Sequence, residues 1–345
     1  VAAVSDATPL NVAVVGMSYW GPNLARNFDR LEGSRLRWAC DLDEGLLDRH
    51  RSAFPLTRFT TNLDEVLADP ETDAVVIATP VPTHARLALA AIAAGKHVFV
   101  EKPLALTTDD ARAVAEAAAA AGVTCMVDHL LVLHPAVTKV KELVDSGHLG
   151  DVHYLYGNRL NLGIVRKDEN ALWSLGPHDI SVMLHLVGEP AVEVSATGAS
   201  YLQDGVEDVV FGRILFRSGT IGHLHLSWLD PHKMRRMTVI GSDRMVVFDD
   251  MESERKITVY DKGPVPRTGD YGEYIQVRSG DIFSPKIDGA EPLKLVCQHF
   301  LDCIRSGDAP IADGWAGLAT VEVLEAMDKS LAENGRPVTL EGASA

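Results

Sequence analysis

Gly16, Ser18 and Gly21 follow an apolar run, Asn11-Val12-Ala13-Val14-Val15, and Asp41 closes a second run, Leu36-Arg37-Trp38-Ala39-Cys40. Glycines placed this way let a strand turn sharply into a helix, whose free N–H groups then face an anion. An acidic residue about twenty positions on, at the end of the next strand, accepts hydrogen bonds from a ribose diol. Together these are the requirements of a dinucleotide site, with Gly16, Ser18, Tyr19, Trp20, Gly21 and Asp41 as its candidate residues. Ser18 stands where the middle glycine is usual, and its hydroxyl is a candidate phosphate donor or helix cap. Leu24, Phe28 and Leu31 give the following helix an apolar stripe. Asp41 repels a 2′-phosphate, and Leu42-Asp43-Glu44 brings no arginine to receive one, so NAD is expected over NADP.

Two further segments follow buried strands. Ala78-Thr79-Pro80-Val81-Pro82-Thr83-His84 offers Thr79, Pro80, Thr83 and His84 to the same cofactor, although a proline-rich turn can also be only a stiff connection. Val100-Glu101-Lys102-Pro103 places a lysine just past a buried strand end, where its charge costs desolvation unless something uses it. An ordinary Lys–Glu surface pair is the alternative. Glu101 and Lys102 therefore join the candidates.

The elements that must hold these groups alternate. Helices at 44–53, from Asn62, at 85–94 and from Thr107 to Gly122 separate strands near 58–59, 74–78, 97–100 and 124–127. Such alternation predicts a doubly wound parallel sheet of Rossmann type over 10–128, after a flexible tail at 1–9. Beyond 129 the pattern changes. A helix at 135–146 and a short helix after Pro177 accompany strands at 152–159, 192–197, 209–216, 220–228, 235–240, 245–248 and 257–260. Several strands alternate polar and apolar residues, which predicts a C-terminal α/β domain, 129–345, with a large open-faced, mostly antiparallel sheet. A long loop or hairpin is expected over 263–290, and helices at 293–304 and 315–334 finish the chain.

Composition narrows the partners. Of 345 residues, 46% are hydrophobic and no apolar run reaches membrane-spanning length. With 32 Lys and Arg against 48 Asp and Glu, the net charge of −16 argues against nucleic acid. Cys40, Cys125, Cys297 and Cys303 fit neither a zinc nor a redox spacing, and the N-terminal segment lacks the basic start and apolar run of a signal peptide. A reducing, cytoplasmic setting is expected. No metal is expected either: His223 and His225 lie two apart on a strand and His232 follows, without a carboxylate or thiol at matching spacing. The basic run Lys233, Arg235 and Arg236 reads as a solvated or subunit-facing turn.

The order of glycine turn, acidic strand end, Thr79-Pro80-x-x-Thr83-His84, Ala94-Gly95-Lys96-His97-Val98-Phe99-Val100-Glu101-Lys102-Pro103 and Gly176-Pro177-His178-Asp179 resembles the Gfo/Idh/MocA oxidoreductases over nearly the whole chain. The resemblance implies a nucleotide-binding domain joined to an open-faced α/β domain, acting on sugars, nucleotide sugars or inositols. It implies Lys102 as a catalytic contact to substrate and nicotinamide ribose, and His178 as the proton carrier. It also makes the stretch from Asn158 to Trp173 look like a subgroup associated with surface or antibiotic sugars. Arg159, Asn161, Arg166, Asn170, Trp173 and Asp179 are then the candidate substrate residues, with Arg159 and Arg166 offered to an anionic group. Ser174 departs from the family, which commonly carries an acid four residues before the histidine; Asp179, or a water held by Ser174, is the candidate replacement.

The expected activity is hydride transfer between NAD and a ring hydroxyl or ketone of a sugar, nucleotide-linked for preference. The alternatives are a cyclitol or aminocyclitol dehydrogenase, a non-catalytic NAD- and sugar-binding regulator, and an NAD-dependent glycosidase-like enzyme. By resemblance, the chain is expected to form a homodimer or homotetramer.

Overall fold

A computed structural model describes residues 8–163, 165–167, 169–264, 277–287 and 289–340. The N-terminal region alternates as expected: β1 (Leu10–Val15), α1 (Gly21–Arg30), β2 (Ser34–Cys40), α2 (Glu44–Arg51), β3 (Arg58–Thr60), α3 (Leu63–Ala68), β4 (Ala74–Ile77), α4 (His84–Ala93), β5 (His97–Val100), α5 (Thr108–Ala121) and β6 (Cys125–Val127). All pairs are parallel, in the order β3-β2-β1-β4-β5-β6. That is the doubly wound arrangement whose ligand edge lies beyond the strands' carboxyl ends. Every residue of β4 is buried, because helices cover both faces of a parallel sheet. Local chemistry sets the helix ends: Asp43, Asn62 and Thr107 cap α2, α3 and α5 through side-chain oxygens, and Gly122 ends α5 in the left-handed conformation.

The remaining elements are α6 (Pro135–Asp145), β7 (Val152–Leu160), α7 (Ala171–Val187), β8 (Ala191–Ala199), β9 (Val209–Phe216), β10 (Ile221–Ser227), β11 (Met234–Gly241), β12 (Met245–Asp249), β13 (Ile257–Pro264), β14 (Val277–Phe283), α8 (Pro292–Ser306), α9 (Gly314–Ala332) and β15 (Val338–Thr339). Their strands form one sheet, β14-β13-β12-β11-β7-β10-β9-β8-β15, in which only β7 and β10 run parallel. On one face Leu155, Gly157 and Arg159 of β7 and Gly222, Leu224 and Leu226 of β10 are buried, and α7 packs against both strands. On the other face Tyr154, Phe211, Ile221 and His223 are exposed, with Phe211 stacked on His225 at 4.5 Å. The loop expected after residue 263 contains part of the β13–β14 hairpin, and its residues 265–276 lie outside the described residues, as does most of the N-terminal tail.

Two sequence expectations change. The short helix placed after Pro177 is a 17-residue helix that begins six residues earlier, with Pro177 inside it. Asn170 caps it by accepting from the Trp173 N–H, and a buried apolar face carries it past the proline. The division of the chain is also interleaved: one compact unit comprises 1–133 and 290–321, the other 134–289 and 322–345. Residues 290–321, read with the second domain, belong with the first because α8 presents Leu293, Val296, Cys297, Phe300 and Leu301 to its core. Phe300 packs edge-on against Phe99 of β5 at 5.5 Å and Phe28 of α1 at 6.3 Å.

Candidate functional site

The first unit gathers its candidates at the carboxyl edge of the parallel sheet. Gly16 has φ +95°, and a Cβ there would lie 2.6 Å from the Ala78 carbonyl oxygen. A Cβ on Gly21 would lie 1.7 Å from the Gly16 carbonyl oxygen. Backbone cannot yield as a side chain can, so both positions require glycine. Asp41 anchors the turn: its Oδ2 accepts from the Met17 N–H at 2.6 Å and its Oδ1 from the Asp43 N–H at 3.0 Å. A carboxylate has about four acceptor positions, so capacity for a ribose diol remains.

Trp20, not Ser18, is the N-cap of α1, and no side chain caps that helix. The capping role considered for Ser18 is therefore not what its hydroxyl does; Ser18 and Tyr19 are exposed beside the uncapped first turn. The tight glycine turn, the open helix start and the anchored acid fit a dinucleotide.

The turn after β4 is held largely by itself. Thr79 Oγ1 and Thr83 Oγ1 are 2.6 Å apart, and Thr83 Oγ1 donates to the Pro80 carbonyl at 2.7 Å. His84 is only 1% exposed, with Nδ1 2.8 Å from the Pro103 carbonyl and Nε2 2.8 Å from the Thr79 carbonyl. Its ring is committed to the backbone as a clamp between the two loops, not to a cofactor. Burial pulls its pKa down, and the two carbonyls oppose that pull.

Beyond β5, Glu101 Oε2 accepts from the Lys102 N–H at 3.2 Å, and the Lys102–Pro103 peptide is cis. Two neighbours went unread in the sequence, Asp128 and His129, both essentially buried just past β6. Asp128 Oδ2 lies 3.5 Å from the Trp20 indole N–H. Burial, then the Asp128 charge and the hydrogen bond with it, push the Glu101 carboxyl well above the usual range. Burial pushes Asp128 up to about 6, opposed by Glu101, Trp20 and Lys102. Burial, aided by the Lys102 charge, takes His129 down to about 3. The available signal was position: Asp128 and His129 directly follow the buried run Cys125-Met126-Val127, as Glu101 and Lys102 follow Val100.

In the second unit, α7 carries Trp173, His178 and Asp179. The period of β7 turns Arg159 toward α7, where its Nε donates to Asp179 Oδ2 at 2.5 Å, both side chains buried. Arg159 was expected to hold an anionic substrate group and Asp179 to replace a missing acid; each instead neutralises the other. Asn170 is likewise structural, capping α7 while its amide donates to Glu207 at 2.9 Å and Asp328 at 3.3 Å. Arg166 pairs with Glu169 at 2.9 Å on the surface. Asn161 is half-buried and its N–H donates to the Ser227 carbonyl, leaving its side chain distinct from that bond. Trp173 and His178 are also half-buried. Lys102 belongs to the first unit and His178 to the second. No group of three or more potential metal ligands occurs among the described residues, and no described helix is long and apolar enough to cross a membrane.

Comparison with known proteins agrees over both units. Residues 10–129 match the oxidoreductase family model with an NAD-binding Rossmann fold, and residues 137–247 match the Gfo/Idh/MocA C-terminal domain. The chain is 28% identical to scyllo-inositol 2-dehydrogenase (NAD⁺) of Bacillus subtilis, covering 95% of this chain and 96% of that protein. It is 28% identical to UDP-N-acetylglucosamine 3-dehydrogenase of Acidithiobacillus ferrooxidans, covering 74% and 77%. Among solved structures, GenD2 from gentamicin A biosynthesis, in complex with NAD, is 29% identical over 97% of each chain, with a TM-score of 0.81. The chain belongs to the Gfo/Idh/MocA oxidoreductases.

Proposed function

We propose that this protein transfers hydride between NAD and a ring hydroxyl or ketone of a sugar. The observation that carries this reading is the carboxyl edge of the first sheet, where the glycine turn follows β1, Asp41 follows β2 and Lys102 follows β5. When bound, NAD supplies the hydride acceptor or donor. An alcohol keeps its proton at neutral pH, so hydride loss needs a base for the hydroxyl and a positive group beside the oxygen. Lys102 stabilises the alkoxide electrostatically, and neutral His178 takes the proton. The direction of net turnover is set by substrate supply. Trp173, Asn161 and Arg166 remain substrate candidates.

A neutral cyclitol or aminocyclitol is the second reading. It is favoured by the pairing of Arg159 with Asp179 and of Arg166 with Glu169, which reduces the cationic capacity offered to a nucleotide diphosphate. The full-length similarity to an inositol dehydrogenase points the same way. The exposed aromatic face of the second sheet supports a homodimer or homotetramer, which sedimentation would establish.

The test is NADH formation with a panel of free sugars, nucleotide sugars and cyclitols. Lys102→Ala should lower kcat at least 100-fold with NAD affinity changed little, and His178→Ala should lower kcat and flatten its acid limb. Wild-type rates in both variants would reject the roles. Binding without turnover would instead identify a regulator, and glycoside cleavage without net NADH a glycosidase-like enzyme. Asp41→Ala should raise the NADP-to-NAD ratio of kcat/KM at least tenfold, because the repelling charge is gone; an unchanged ratio would reject the NAD preference.

A further inference from the structure

β5 and β6 pair in parallel with Val100 opposite Val127, so Glu101 and Asp128 follow in register on adjacent strand ends. The two carboxyl groups lie close enough that each acts on the other's proton affinity. The surroundings are nearly closed: Asp128 is fully buried, and Cys297 of α8 lies close enough for both acids to push its thiol up. Glu101 Oε2 accepts from the Lys102 N–H and Asp128 Oδ2 from the Trp20 indole. The other two oxygens, Glu101 Oε1 and Asp128 Oδ1, are enclosed, and no N–H or O–H of a described residue donates to them.

Two carboxylates in contact cannot both remain charged in an enclosure of low dielectric. One proton on Glu101 Oε1, donated to Asp128 Oδ1, satisfies both enclosed oxygens at once. It also fits the indole N–H, which donates to the anionic partner, and the backbone N–H, which donates to the carbonyl oxygen of the neutral acid.

We infer that Glu101 and Asp128 hold a single proton between them, so that the pair presents one negative charge to Lys102 and Asp128 acts as a positioning residue for that ammonium. Among the described residues, the charged and titratable groups that act on the pair are Lys102 and Cys297, and His129 follows Asp128 in the chain beside Lys102. His129 stays neutral under burial, so Lys102 is the cation the pair balances. With two negative charges, the ammonium would be held against the acids. With none, its charge would be harder to keep beside a hydride acceptor. One charge balances the ammonium without holding it against the acids, a role that rests on the dehydrogenase reading above.

Three measurements on the full chain test this. Near neutral pH the infrared spectrum of the wild type should contain the carbonyl stretch of a neutral carboxylic acid. That band should be absent from Glu101→Gln, and absent from Asp128→Asn, whose amide donates to an ionised Glu101. A wild-type spectrum without the band, or a band that survives both substitutions, overturns the inference. Asp128→Asn carries this arm if Glu101→Gln does not fold.

Thermal unfolding gives a second sign. Between the ordinary carboxyl value of 4.5 and neutrality, the unfolded wild type has lost the Glu101 proton while the folded protein keeps it, so wild-type stability falls as pH rises. Glu101→Gln lacks this loss, and its Tm relative to wild type should climb across that window; a relative Tm that declines there means an ionised Glu101 and overturns the inference.

Finally, each single isostere leaves one negative charge, and the basic limb of the kcat/KM profile should stay in place. The double variant leaves none and should move that limb down by about one pH unit. Equal shifts in singles and double overturn the charge-balancing role. If no substrate turns over, the dehydrogenase reading fails, while the infrared and unfolding results still decide the proton.

Discussion

Arg159 and Asp179 show how a residue that looks available in sequence is spent in the fold. A guanidinium and a carboxylate buried together offset each other's desolvation, and a buried charge that loses its partner is left uncompensated. Arg159→Met should therefore destabilise the protein by about 3–5 kcal/mol in chemical denaturation. Adding Asp179→Leu should recover most of that loss, because the remaining charge is removed as well. If the double variant is as unstable as the sum of the singles, the pair is not acting as a unit. The same experiment bears on substrate binding. Neutralised by Asp179, Arg159 has little charge to offer an anion, so the expected result is an unchanged KM for nucleotide sugars, with kcat per total protein falling only in proportion to lost folded protein.

At the scale of elements, what was legible in the sequence was what depends on near neighbours. The glycine turn, the caps at Asp43, Asn62 and Thr107, the buried strand β4 and the end of α5 at Gly122 each follow from residues within a few positions. The Glu101–Asp128 contact, the His84 clamp and the Arg159–Asp179 pair join residues 19 to 27 positions apart or bridge two loops, and periodicity carries no information about such partners. Pro177 misplaced a helix start because proline favours the first turn, whereas the apolar packing of α7 tolerates it inside. α8 was legible as a helix, but its apolar face does not say which core it will join. The aromatic cluster answers that, and it gives a test. Phe300→Ala should cost about 3–5 kcal/mol by opening a cavity against Phe28 and Phe99. The loss should appear as faster hydrogen exchange in β5 and α1, and exchange unchanged in those elements would separate α8 from the first core.

Across the whole molecule, seven histidines sit where the folded environment favours the neutral form. Burial lowers the pKa of His84, His97, His129, His134, His185, His225 and His299. An unfolded histidine takes a proton as pH falls through about 6.5, while these folded ones resist. The unfolded state then binds more protons than the native state, so stability must fall as pH falls below that value. His129 contributes most clearly. It is 2% exposed, neither ring nitrogen has a hydrogen-bond partner among the described residues, and its pKa is pulled down to about 3 by burial and then by Lys102. Between about 6.5 and about 3 it should remove roughly 1.4 kcal/mol of stability per pH unit. The Glu101–Asp128 pair acts in the opposite sense on the acid side of neutrality, because it keeps protons that the unfolded chain releases. The histidines outnumber it, and the net slope should be toward instability in acid. Thermal unfolding from neutral pH downward measures this slope directly. His129→Leu removes the ring that cannot be protonated in place, so its Tm relative to wild type should climb steadily as the pH drops below about 6.5. Parallel curves for the two proteins would mean that His129 takes up its proton in the folded state, and that its buried position beside Lys102 admits a charge the burial argument excludes.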